Sequence, residues 1–352
     1  MSLPAAFEAG GRAIGPGNPV YVIAEAGSNH NRDLAVAKQL IDVSADAGAD
    51  AVKFQTYSGH RLYSRKAQSK YLDQYDAGSP AELLERIALP REWHAVLADH
   101  ARERGIHFFS SPFDHEAVDE LAEIGVPLLK IASGEIVDLP LIRKAASTGI
   151  PLIVSTGMAT LEEISEAVTA AEEAGATALA LMQCASVYPA APELINLRAM
   201  DTLRDRFGVP AGLSDHTMGL AIPAAAAAMG AAMIEKHITL DRSMDGPDHS
   251  FAIEPDELAA MVRAVRDAEA ALGDGRKEGP SEAERDENYT LARRSLIAAR
   301  DLAAGTVIEA DMLTVKRPGS GIAPKHFDDV VGLTLAADVE ADDVITWELF
   351  PE

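Results

Sequence analysis

Short apolar segments alternate with longer amphipathic segments along most of this chain, and this alternation restricts the possible folds more than any other feature. The apolar segments are residues 20–27, 51–57, 107–113, 127–134, 151–157, 178–186, 210–216 and 232–239. Between two of them, Leu161, Ile164 and Val168 recur at i, i+3 and i+7, which is one face of a helix. Eight strands that each precede a helix predict a TIM (β/α)8 barrel. A doubly wound open sheet is the alternative, although no GxGxxG fingerprint follows the first apolar segment.

The barrel is predicted to occupy residues 1–272 of the 352 in the chain. Its last helix is expected to start at Pro255, because proline suits the first turn of a helix. Residues 273–290 are polar and contain glycine, proline and many charges, which is typical of a linker. Residues 291–352 contain short β-like pieces such as GTVI and MLTVKR, and they predict a separate small, mostly β domain.

Charge and composition exclude several classes of partner. The formal net charge is −24, and such a surface repels nucleic acid and anionic lipid. No apolar run reaches the ~20 residues that span a bilayer, so no membrane segment is expected. The first residues lack the basic region and apolar core of a signal peptide, and Cys184 is the single cysteine. With no intrachain disulfide possible, we predict a cytoplasmic protein.

Nearly every predicted strand ends in polar residues, at the edge where TIM-barrel enzymes have their active sites. Lys53 and Lys130 stand inside the apolar segments AVKFQ and LLKIAS. A buried lysine is costly unless it meets an anion, so both are candidates for binding phosphate and carboxylate groups. The full candidate set is Lys53, Ser111, Lys130, Ser133, Ser186 and Ser214. The alternative is that the serines cap turns and the lysine head groups reach water.

His216 and His237 end the last two predicted strands of the barrel. Adjacent strands lie about 5 Å apart, so both imidazoles can reach one divalent metal ion. Two imidazoles without a cluster of carboxylates or thiolates favour Mn²⁺ or another borderline ion with open positions for substrate. The alternative is a pair of histidines that are only hydrogen-bonded.

Nine segments of the chain match motifs of one known family. They are IAEAGSNHNRDLAVAKQLI, AGADAVKFQTY, FFSSPFD, KIASGE, PLIVSTGMA, CASVYPA, GLSDHT, EKHITLDRSMDGPDHSF and VKRPGSGI. From residue 20 onward the chain resembles the sialic acid synthase family, and its tail resembles that family's C-terminal antifreeze-like (SAF) domain. The resemblance implies condensation of phosphoenolpyruvate with an N-acetylated hexosamine-type aldehyde and water. The products would be a nine-carbon 2-keto acid and phosphate, released by C–O cleavage.

The resemblance also implies roles for individual residues. Phosphoenolpyruvate would be bound by Lys53, Ser111, Lys130, Ser133, Ser186 and Ser214. His216 and His237 would hold the metal, with Mn²⁺ in first place and Mg²⁺ or Co²⁺ as alternatives. The sugar would face Glu25, Gln55, Tyr188 and Asp248, and either Glu25 or Glu135 would transfer protons. Arg317 of the KRPGSG motif would close the sugar site of the neighbouring subunit in a domain-swapped homodimer.

Two positions depart from the family's usual residues, and both affect expected phosphoenolpyruvate contacts. Ser111 stands where family members often have threonine, which keeps the hydroxyl, and Ser186 stands where some have asparagine. The aldehyde stays open between N-acetylmannosamine, the first choice, and the diacetamido hexoses that lead to legionaminic or pseudaminic acid. Two other classes also stay open: a Schiff-base aldolase, which needs one lysine and no metal, and a carbohydrate-binding protein without catalysis.

Overall fold

A computed structural model describes residues 3–67, 78–285 and 287–351 of the chain. The chain divides into two compact units between Asp274 and Gly275. The segment that was predicted as a linker, 273–290, contains a 3-10 turn at Glu282–Arg285 and the start of a short helix at Glu287–Ala292. Residue 286 of that segment lies outside the described residues.

The first unit is a closed barrel of eight parallel strands, as the sequence predicts. It is preceded by a hairpin of β1 (Phe7–Ala9) and β2 (Arg12–Ile14). The barrel strands are β3 (Tyr21–Gly27), β4 (Ala51–Thr56), β5 (His107–Pro112), β6 (Leu129–Ile131), β7 (Leu152–Ser155), β8 (Leu179–Cys184), β9 (Ala211–Asp215) and β10 (Met233–His237). Each strand pairs with its neighbours in sequence, and β10 closes the barrel against β3.

Helices surround the barrel and carry their own start signals. They are α1 (Leu34–Asp46), α2 (Gly59–Leu62), α3 (Pro80–Ile87), α4 (His94–Glu103), α5 (His115–Glu123), α6 (Leu139–Ala146), α7 (Leu161–Glu173), α8 (Ala199–Phe207), α9 (Ala221–Ala228) and α10 (Pro255–Leu272). The side chains of Asp33, Asp114 and Thr160 accept hydrogen bonds from the first turns of α1, α5 and α7. Such caps satisfy backbone N–H groups that have no partner within the helix.

One predicted strand is shorter than expected. Residues 127–134 were predicted as extended, but β6 covers only Leu129–Ile131, and Ser133–Val137 forms a 3-10 helix. Asp138 then caps α6 by accepting from the Leu141 backbone N–H. The chain therefore leaves the barrel wall directly after Ile131, and this turn decides where Glu135 lies.

The hairpin β1–β2 covers the N-terminal end of the barrel. Ala9 and Ile14 are buried in the barrel's core, and Arg12 forms an ion pair with Asp50, which precedes β4. The Gly10 carbonyl oxygen lies 3.1 Å from Nε2 of His107, the first residue of β5. A Cβ atom on Gly10 would lie 2.6 Å from that same nitrogen, so this turn needs glycine. The other end of the barrel, where the strands terminate, carries the candidate site.

The second unit is small and mostly β, as predicted. It contains helix α11 (Glu287–Ala292), antiparallel strands β11 (Ser295–Ala298) and β12 (Leu313–Lys316), and helix α12 (Phe327–Val330). Isolated antiparallel bridges such as Leu302 with Val339 extend its β structure. Leu296, Ile308 and Ile345 belong to a core of its own. Among the described residues of both units, no helix is long and apolar enough to cross a membrane.

Candidate active site

A cavity of about 710 Å³ opens at the carboxyl ends of the barrel strands. This volume lies within the roughly 300–1,000 Å³ that encloses small-molecule ligands. Most of the residues singled out from the sequence line it: Glu25, Lys53, Gln55, Ser111, Lys130, Ser133, Ser186, Tyr188, Ser214, His216, His237 and Asp248. Glu135 is not among the lining residues, and Arg317 belongs to the second unit.

Two lysines and two glutamates form a buried network of charges at the bottom of the cavity. Lys53 Nζ lies 2.7 Å from Glu25 Oε2, 3.2 Å from Ser111 Oγ and 3.8 Å from Glu235 Oε2. Lys130 Nζ donates to Glu235 Oε1 at 2.6 Å, and Ser214 Oγ donates to the same atom at 3.1 Å. The two lysines are thus neutralised by the protein's own carboxylates.

Burial shifts the pKa values of this network in different directions. Burial lowers the pKa of Lys130, and the nearby Lys53 adds to this shift. At Lys53 the effect of burial is outweighed by the carboxylates of Glu235 and Glu25, so its pKa is raised. Burial raises the pKa of Glu25, whereas Lys130 and Lys53 outweigh burial at Glu235 and lower its pKa. Glu235 is therefore the carboxyl that stays ionised, and Glu25 is the carboxyl that takes up a proton more readily.

A close approach of two serines to the backbone shapes the cavity beside Lys130. Ser133 Oγ accepts a hydrogen bond from the Gly157 N–H at 3.1 Å. A Cβ atom on Gly157 would lie 2.4 Å from Ser186 Oγ and 2.7 Å from Ser133 Oγ, so only glycine fits here. Ser186 Oγ is buried and makes no hydrogen bond to the described residues. A buried hydroxyl without a partner costs free energy, which a ligand oxygen would recover.

His216 and His237 lie side by side, with ring centroids 5.4 Å apart. His216 Nδ1 lies 2.8 Å from the Ala185 carbonyl oxygen and must donate to it, which leaves Nε2 with a free lone pair. His237 Nδ1 is buried without a hydrogen-bond partner among the described residues. Burial lowers the pKa of both imidazoles, so both are neutral at pH 7.

This donor set fits a divalent metal ion. Metal-binding histidines are neutral, and the second ring nitrogen commonly donates to a carbonyl or carboxylate, as His216 does. No group of three or more His, Cys, Asp and Glu side chains suited to a metal occurs within residues 3–67, 78–285 and 287–351. The protein would therefore contribute two imidazoles, and the remaining positions would be open to substrate or water.

Tyr188 and Asp248 lie next to the histidine pair in the cavity. The Tyr188 ring stacks on His216 with centroids 4.1 Å apart and also contacts Phe251 at 5.3 Å. Asp248 Oδ2 lies 3.7 Å from His237 Nδ1, and burial raises the pKa of this carboxyl to about 6. Gly27, with φ +51°, allows Asp248 to come close, since a Cβ atom there would lie 3.1 Å from Asp248 Oδ2.

The two predicted residues outside the cavity lining have distinct surroundings. Glu135 lies in the 3-10 helix Ser133–Val137, and burial raises the pKa of its carboxyl to about 7. Arg317 is exposed, and none of the hydrogen bonds or ion pairs found among the described residues involves it. Gly319, two residues later, packs against Arg293 so closely that a Cβ atom would lie 2.5 Å from Arg293 Cβ. The loop that carries Arg317 is therefore anchored, while its arginine side chain projects into solvent.

Comparison with known proteins identifies the families of the barrel and of the C-terminal unit. The profile of the NeuB family matches residues 40–277, and that of the SAF domain matches residues 293–351. The chain belongs to the NeuB family. The resemblance to sialic acid synthases that the sequence motifs indicate is thus confirmed.

NeuB-family relatives match this chain over nearly their full length. An N,N'-diacetyllegionaminic acid synthase from Legionella pneumophila is 41% identical over 335 residues, which are 93% of this chain and 94% of the relative. The N-acetylneuraminate-9-phosphate synthase of Homo sapiens is 36% identical over 344 residues, 96% of this chain and 95% of the relative. A crystal structure of an N-acetylneuraminic acid synthetase from Leptospira borgpetersenii in complex with citrate superposes with a TM-score of 0.72. It is 35% identical and covers 83% of this chain and 99% of that chain.

These relatives are all named as synthases of nonulosonic acids, so this NeuB-family chain is an enzyme of the sialic acid synthase type. Their names differ in the sugar product. Membership of the NeuB family therefore leaves the aldehyde open.

Glu235 is a charged residue of this NeuB-family site to which sequence reasoning gave no role. Its carboxylate holds Lys130 and Ser214 and lies 3.8 Å from Lys53. A signal was present, because Glu235 and His237 are two residues apart on a strand and must share a face. The apolar residues of α3 that line the cavity were also missed, since they lie in the connection between β4 and α4 and not at a strand end.

Proposed function

We propose that this chain condenses phosphoenolpyruvate with an N-acetylated amino-sugar aldehyde and water, and that it yields a nonulosonic acid and phosphate. The observation that carries the proposal is the pair of buried lysines next to the pair of neutral histidines in one cavity. Lysines in this setting suit the phosphate and carboxylate of one substrate. Neutral imidazoles suit a metal that would act on the other substrate.

The phosphoenolpyruvate subsite would use the lysines and the serine hydroxyls. Lys53 and Lys130 approach the cavity from β4 and β6, on either side of β5, and Ser111 of β5, 3.2 Å from Lys53, adds a donor. Ser133, Ser186 and Ser214 would complete the set of hydroxyls around the anion. Glu25 and Glu235 keep the lysines charged and ordered until the substrate arrives. Binding would then exchange internal ion pairs for charge-assisted hydrogen bonds to the ligand.

His216 and His237 would hold a divalent cation, for which we propose Mn²⁺, with Mg²⁺ or Co²⁺ as alternatives. When bound, the ion would supply Lewis-acid polarisation of the aldehyde carbonyl. Chelation with EDTA should abolish activity, and Mn²⁺ should restore it. His216→Ala and His237→Ala should each lose Mn²⁺ binding in an equilibrium titration, so retained binding by both variants would contradict this assignment.

The chain's carboxyls would handle the protons of the reaction. Carbon C3 of phosphoenolpyruvate forms a bond to the aldehyde carbon, whose oxygen gains a proton and becomes a hydroxyl. Water adds to C2 and loses a proton, and the tetrahedral intermediate then breaks its C–O bond to release phosphate. Glu25 lies in the cavity with a raised pKa and accepts a hydrogen bond from Gln55 at 2.8 Å, which orients it for proton transfer. Glu135, whose pKa is about 7, is the second candidate, although it does not line the cavity.

For the aldehyde, N-acetylmannosamine is the first candidate from the sequence motifs. Tyr188 stacks on His216, Asp248 lies 3.7 Å from His237, and Gln55 lines the same cavity. These three side chains would face the sugar. A diacetamido hexose is the second candidate, because the Legionella pneumophila relative is named for N,N'-diacetyllegionaminic acid.

The proposed function is tested with phosphoenolpyruvate that carries ¹⁸O in its bridging oxygen. The expected result is release of phosphate that contains the label, in a reaction that depends on the aldehyde. Label retained in the keto acid would mean P–O cleavage and a different mechanism. A covalent adduct with pyruvate after borohydride treatment would favour a Schiff-base aldolase.

We further propose that the enzyme is a homodimer in which Arg317 completes the sugar site of the partner. The support is an exposed arginine on a loop that Gly319 anchors. Arg317→Ala should lose activity, and mixing it with His237→Ala should restore part of that activity after subunit exchange. The rescue arises because one site in each mixed dimer would be intact. Confirmed mixed dimers without rescue would contradict the shared site.

A further inference from the structure

We propose that His249 is a positioning residue of this site, because its imidazole connects the loop between β10 and α10 to the turn between β3 and α1. This connection fixes where Asp248 and Phe251 lie in the cavity. The inference rests on the proposed function for one point only, namely that Asp248 faces the aldehyde. The carrying observation is a fully buried ring that has a hydrogen-bond partner at each nitrogen and directly follows a carboxylate of the cavity.

The loop between β10 and α10 leaves the end of the strand and then returns to it. The Ile253 N–H donates to the His237 carbonyl oxygen at 2.9 Å. Just before this return, a short 3-10 helix starts at His249 and ends at Phe251. Asp248 and Phe251 line the cavity, whereas the His249 side chain is fully buried. The same short segment therefore carries two cavity residues and one residue that packs inside the protein.

The carboxylate of Asp248 depends on its backbone for its position. Within the part of the chain that the structure describes, no hydrogen bond holds this carboxylate, and its Oδ2 atom lies 3.7 Å from His237 Nδ1. The Phe251 ring contacts His237 with centroids 5.1 Å apart. A shift of the 3-10 helix would thus move both side chains relative to a proposed metal ligand. A misplacement of about 1 Å can cost a factor of about 10² in rate.

His249 holds this segment through both of its ring nitrogens. Nδ1 lies 2.6 Å from Thr239 Oγ1, and Nε2 lies 3.1 Å from Asn31 Oδ1. Burial lowers the pKa of His249, so the ring is neutral at pH 7 and has one donor and one acceptor nitrogen. Because a carboxamide oxygen faces Nε2, this nitrogen donates to Asn31, and Nδ1 accepts from the Thr239 hydroxyl. Thr239 belongs to the same loop as His249, so the bond to Asn31 is the one that joins two loops.

The contact between His249 and Asn31 is closely packed. A Cβ atom on Gly246 would lie 2.7 Å from His249 Cδ2 and 3.3 Å from Asn31 Oδ1. Asn31 has φ +48°, a left-handed conformation that asparagine adopts more readily than most residues. The same turn donates from Asn29 Nδ2 to the Ile238 carbonyl oxygen at 2.8 Å. The turn after β3 thus holds the end of β10 at one point and the returning loop at another, as supporting hydrogen bonds do around a precise site.

Two substitutions at His249 separate the bond to Asn31 from the contact with Thr239. A glutamine amide reaches the place of Nε2 and keeps the bond to Asn31, whereas an asparagine amide reaches only the place of Nδ1. The kcat/KM for the aldehyde should fall about 10- to 100-fold in His249→Asn and stay within about threefold of wild type in His249→Gln. The KM for phosphoenolpyruvate should stay within about twofold in both variants, since the lysines and serines are unchanged. N-acetylmannosamine and a diacetamido hexose are assayed in parallel.

The partner residue gives an independent test of the same bond. Asn31→Gly removes the acceptor and suits the left-handed backbone, so it should reproduce the kinetic loss of His249→Asn. The double variant Asn31→Gly/His249→Asn should be at most about threefold worse than either single variant, because all three lack the same bond. His94→Asn is the matched control, since His94 is buried, has Nε2 3.0 Å from Thr56 Oγ1 and lies outside the cavity lining. It should leave kcat/KM for the aldehyde within about twofold of wild type.

Backbone amide hydrogen exchange measures the connection without any substrate. Exchange of residues 246–251 should be faster by about tenfold or more in His249→Asn and Asn31→Gly than in wild type and His249→Gln. Exchange in α7 should stay unchanged in all of them. Thermal unfolding identifies a variant that fails to fold, and Asn31→Gly keeps the test available if His249→Asn does so.

The outcomes separate the positioning role from the proposed function. Equal kinetic losses in His249→Asn and His249→Gln, or additive losses in the double variant, would overturn the role of the His249–Asn31 bond while leaving the synthase function standing. A wild-type enzyme that turns over neither aldehyde would contradict the proposed function instead. The exchange rates would then decide the connection alone, and unchanged exchange of residues 246–251 in His249→Asn would refute it.

Discussion

Strand β10 carries buried charged side chains on both of its faces. The two sets differ in how many of their polar atoms have a hydrogen-bond partner. On the outside of the barrel, Lys236 Nζ donates to Asp215 Oδ2 and to the Thr217 carbonyl oxygen, both at 2.6 Å. The Thr217 N–H and hydroxyl donate to the same aspartate. On the inside, Glu235 binds Lys130 and Ser214 through one oxygen, while its other oxygen makes no hydrogen bond to the described residues.

The same contrast extends over the whole cavity. Eight buried side-chain polar atoms of the described residues have no hydrogen-bond partner, and five of them belong to residues that line the cavity: Glu25, Ser155, Ser186, Glu235 and His237. Glu25 Oε2 is 2.7 Å from Lys53 Nζ, so its charge is compensated although the hydrogen-bond geometry is poor. A buried ion pair alone therefore does not indicate a functional site. Open hydrogen-bonding capacity next to a cavity does, because a ligand can use it.

The largest expected effect is the loss of catalysis when an inner lysine is removed. Lys130→Met should lower kcat/KM for phosphoenolpyruvate by about 10³-fold, which corresponds to about 4 kcal/mol. Its unfolding free energy should fall by less than the roughly 3–5 kcal/mol that an uncompensated buried charge costs, since Glu235 keeps Ser214 and has Lys53 within 3.8 Å. Steady-state kinetics and urea unfolding measure the two quantities.

Lys144→Met is the matched control for this variant, because Lys144 pairs with Asp119 at the surface of the barrel. It should leave kcat/KM unchanged. A Lys130→Met variant that lost about 3–5 kcal/mol of unfolding free energy and kept its affinity for phosphoenolpyruvate would show that Lys130 has a structural role.

The outer pair is expected to show the opposite pattern. Lys236→Met leaves Asp215 buried and without its cation, which costs about 3–5 kcal/mol of unfolding free energy. The double variant Asp215→Asn/Lys236→Met should recover more than half of this loss. The kcat/KM of the folded enzyme should fall less than about tenfold, because neither side chain lines the cavity. A Lys236→Met variant as stable as the wild type would show that the Asp215–Lys236 pair contributes nothing to the unfolding free energy.

A smaller effect is expected at Gly157, where the backbone meets two inner hydroxyls. Gly157→Ala would place a methyl group 2.4 Å from Ser186 Oγ and 2.7 Å from Ser133 Oγ, so both hydroxyls must move. We expect the KM for phosphoenolpyruvate to rise about tenfold, with a loss of about 1–3 kcal/mol in stability. Gly134 lines the same cavity, but a Cβ atom there meets nothing within 4 Å, so Gly134→Ala separates displacement of the two hydroxyls from the mere addition of a methyl group to the cavity. An unchanged KM in Gly157→Ala would show that neither Ser133 nor Ser186 contributes to binding the anion.

The smallest effect concerns Glu135, a half-buried carboxyl whose pKa is raised to about 7 by its partial burial. The folded state keeps this proton between about pH 4.5 and 7, where the unfolded chain has lost it. The stabilising contribution is therefore full below about pH 4.5 and is lost as the pH rises through about 7. The stability difference between wild type and Glu135→Gln, measured by urea unfolding from pH 5 to 8, should shift against the wild type with increasing pH. Glu162→Gln, at the exposed start of α7, should give a constant difference, and an equally flat Glu135→Gln profile would contradict the raised pKa.

The sequence predicted the barrel and most of its cavity because strand alternation and strand ends are local features. Lys53, Lys130, His216 and His237 could be placed without coordinates, since each ends or interrupts an apolar run. The role of Glu235 could not be assigned in the same way, because its contact with Lys130 joins β10 to β6 across the barrel and depends on strand register.

Two further features of the site could not be predicted from local sequence patterns. The early end of β6 at Ile131 starts a 3-10 helix, and this helix removes Glu135 from the cavity lining. The apolar face of α3 is visible in the spacing of Leu83, Leu84 and Ile87, but periodicity does not say which surface a helix covers.

The hairpin at the start of the chain has a practical consequence for shortening or tagging the protein. Ile14 is fully buried, and Arg12 shares Asp50 with Arg266 of α10, so these residues connect the beginning of the barrel to its last helix. A chain trimmed to begin at β3 would expose apolar surface at the N-terminal end of the barrel and would leave Asp50 with one cation fewer. Deletion series and fusion partners are therefore better joined at the C-terminal unit or before Phe7, so that residues 7–14 stay in place against the barrel.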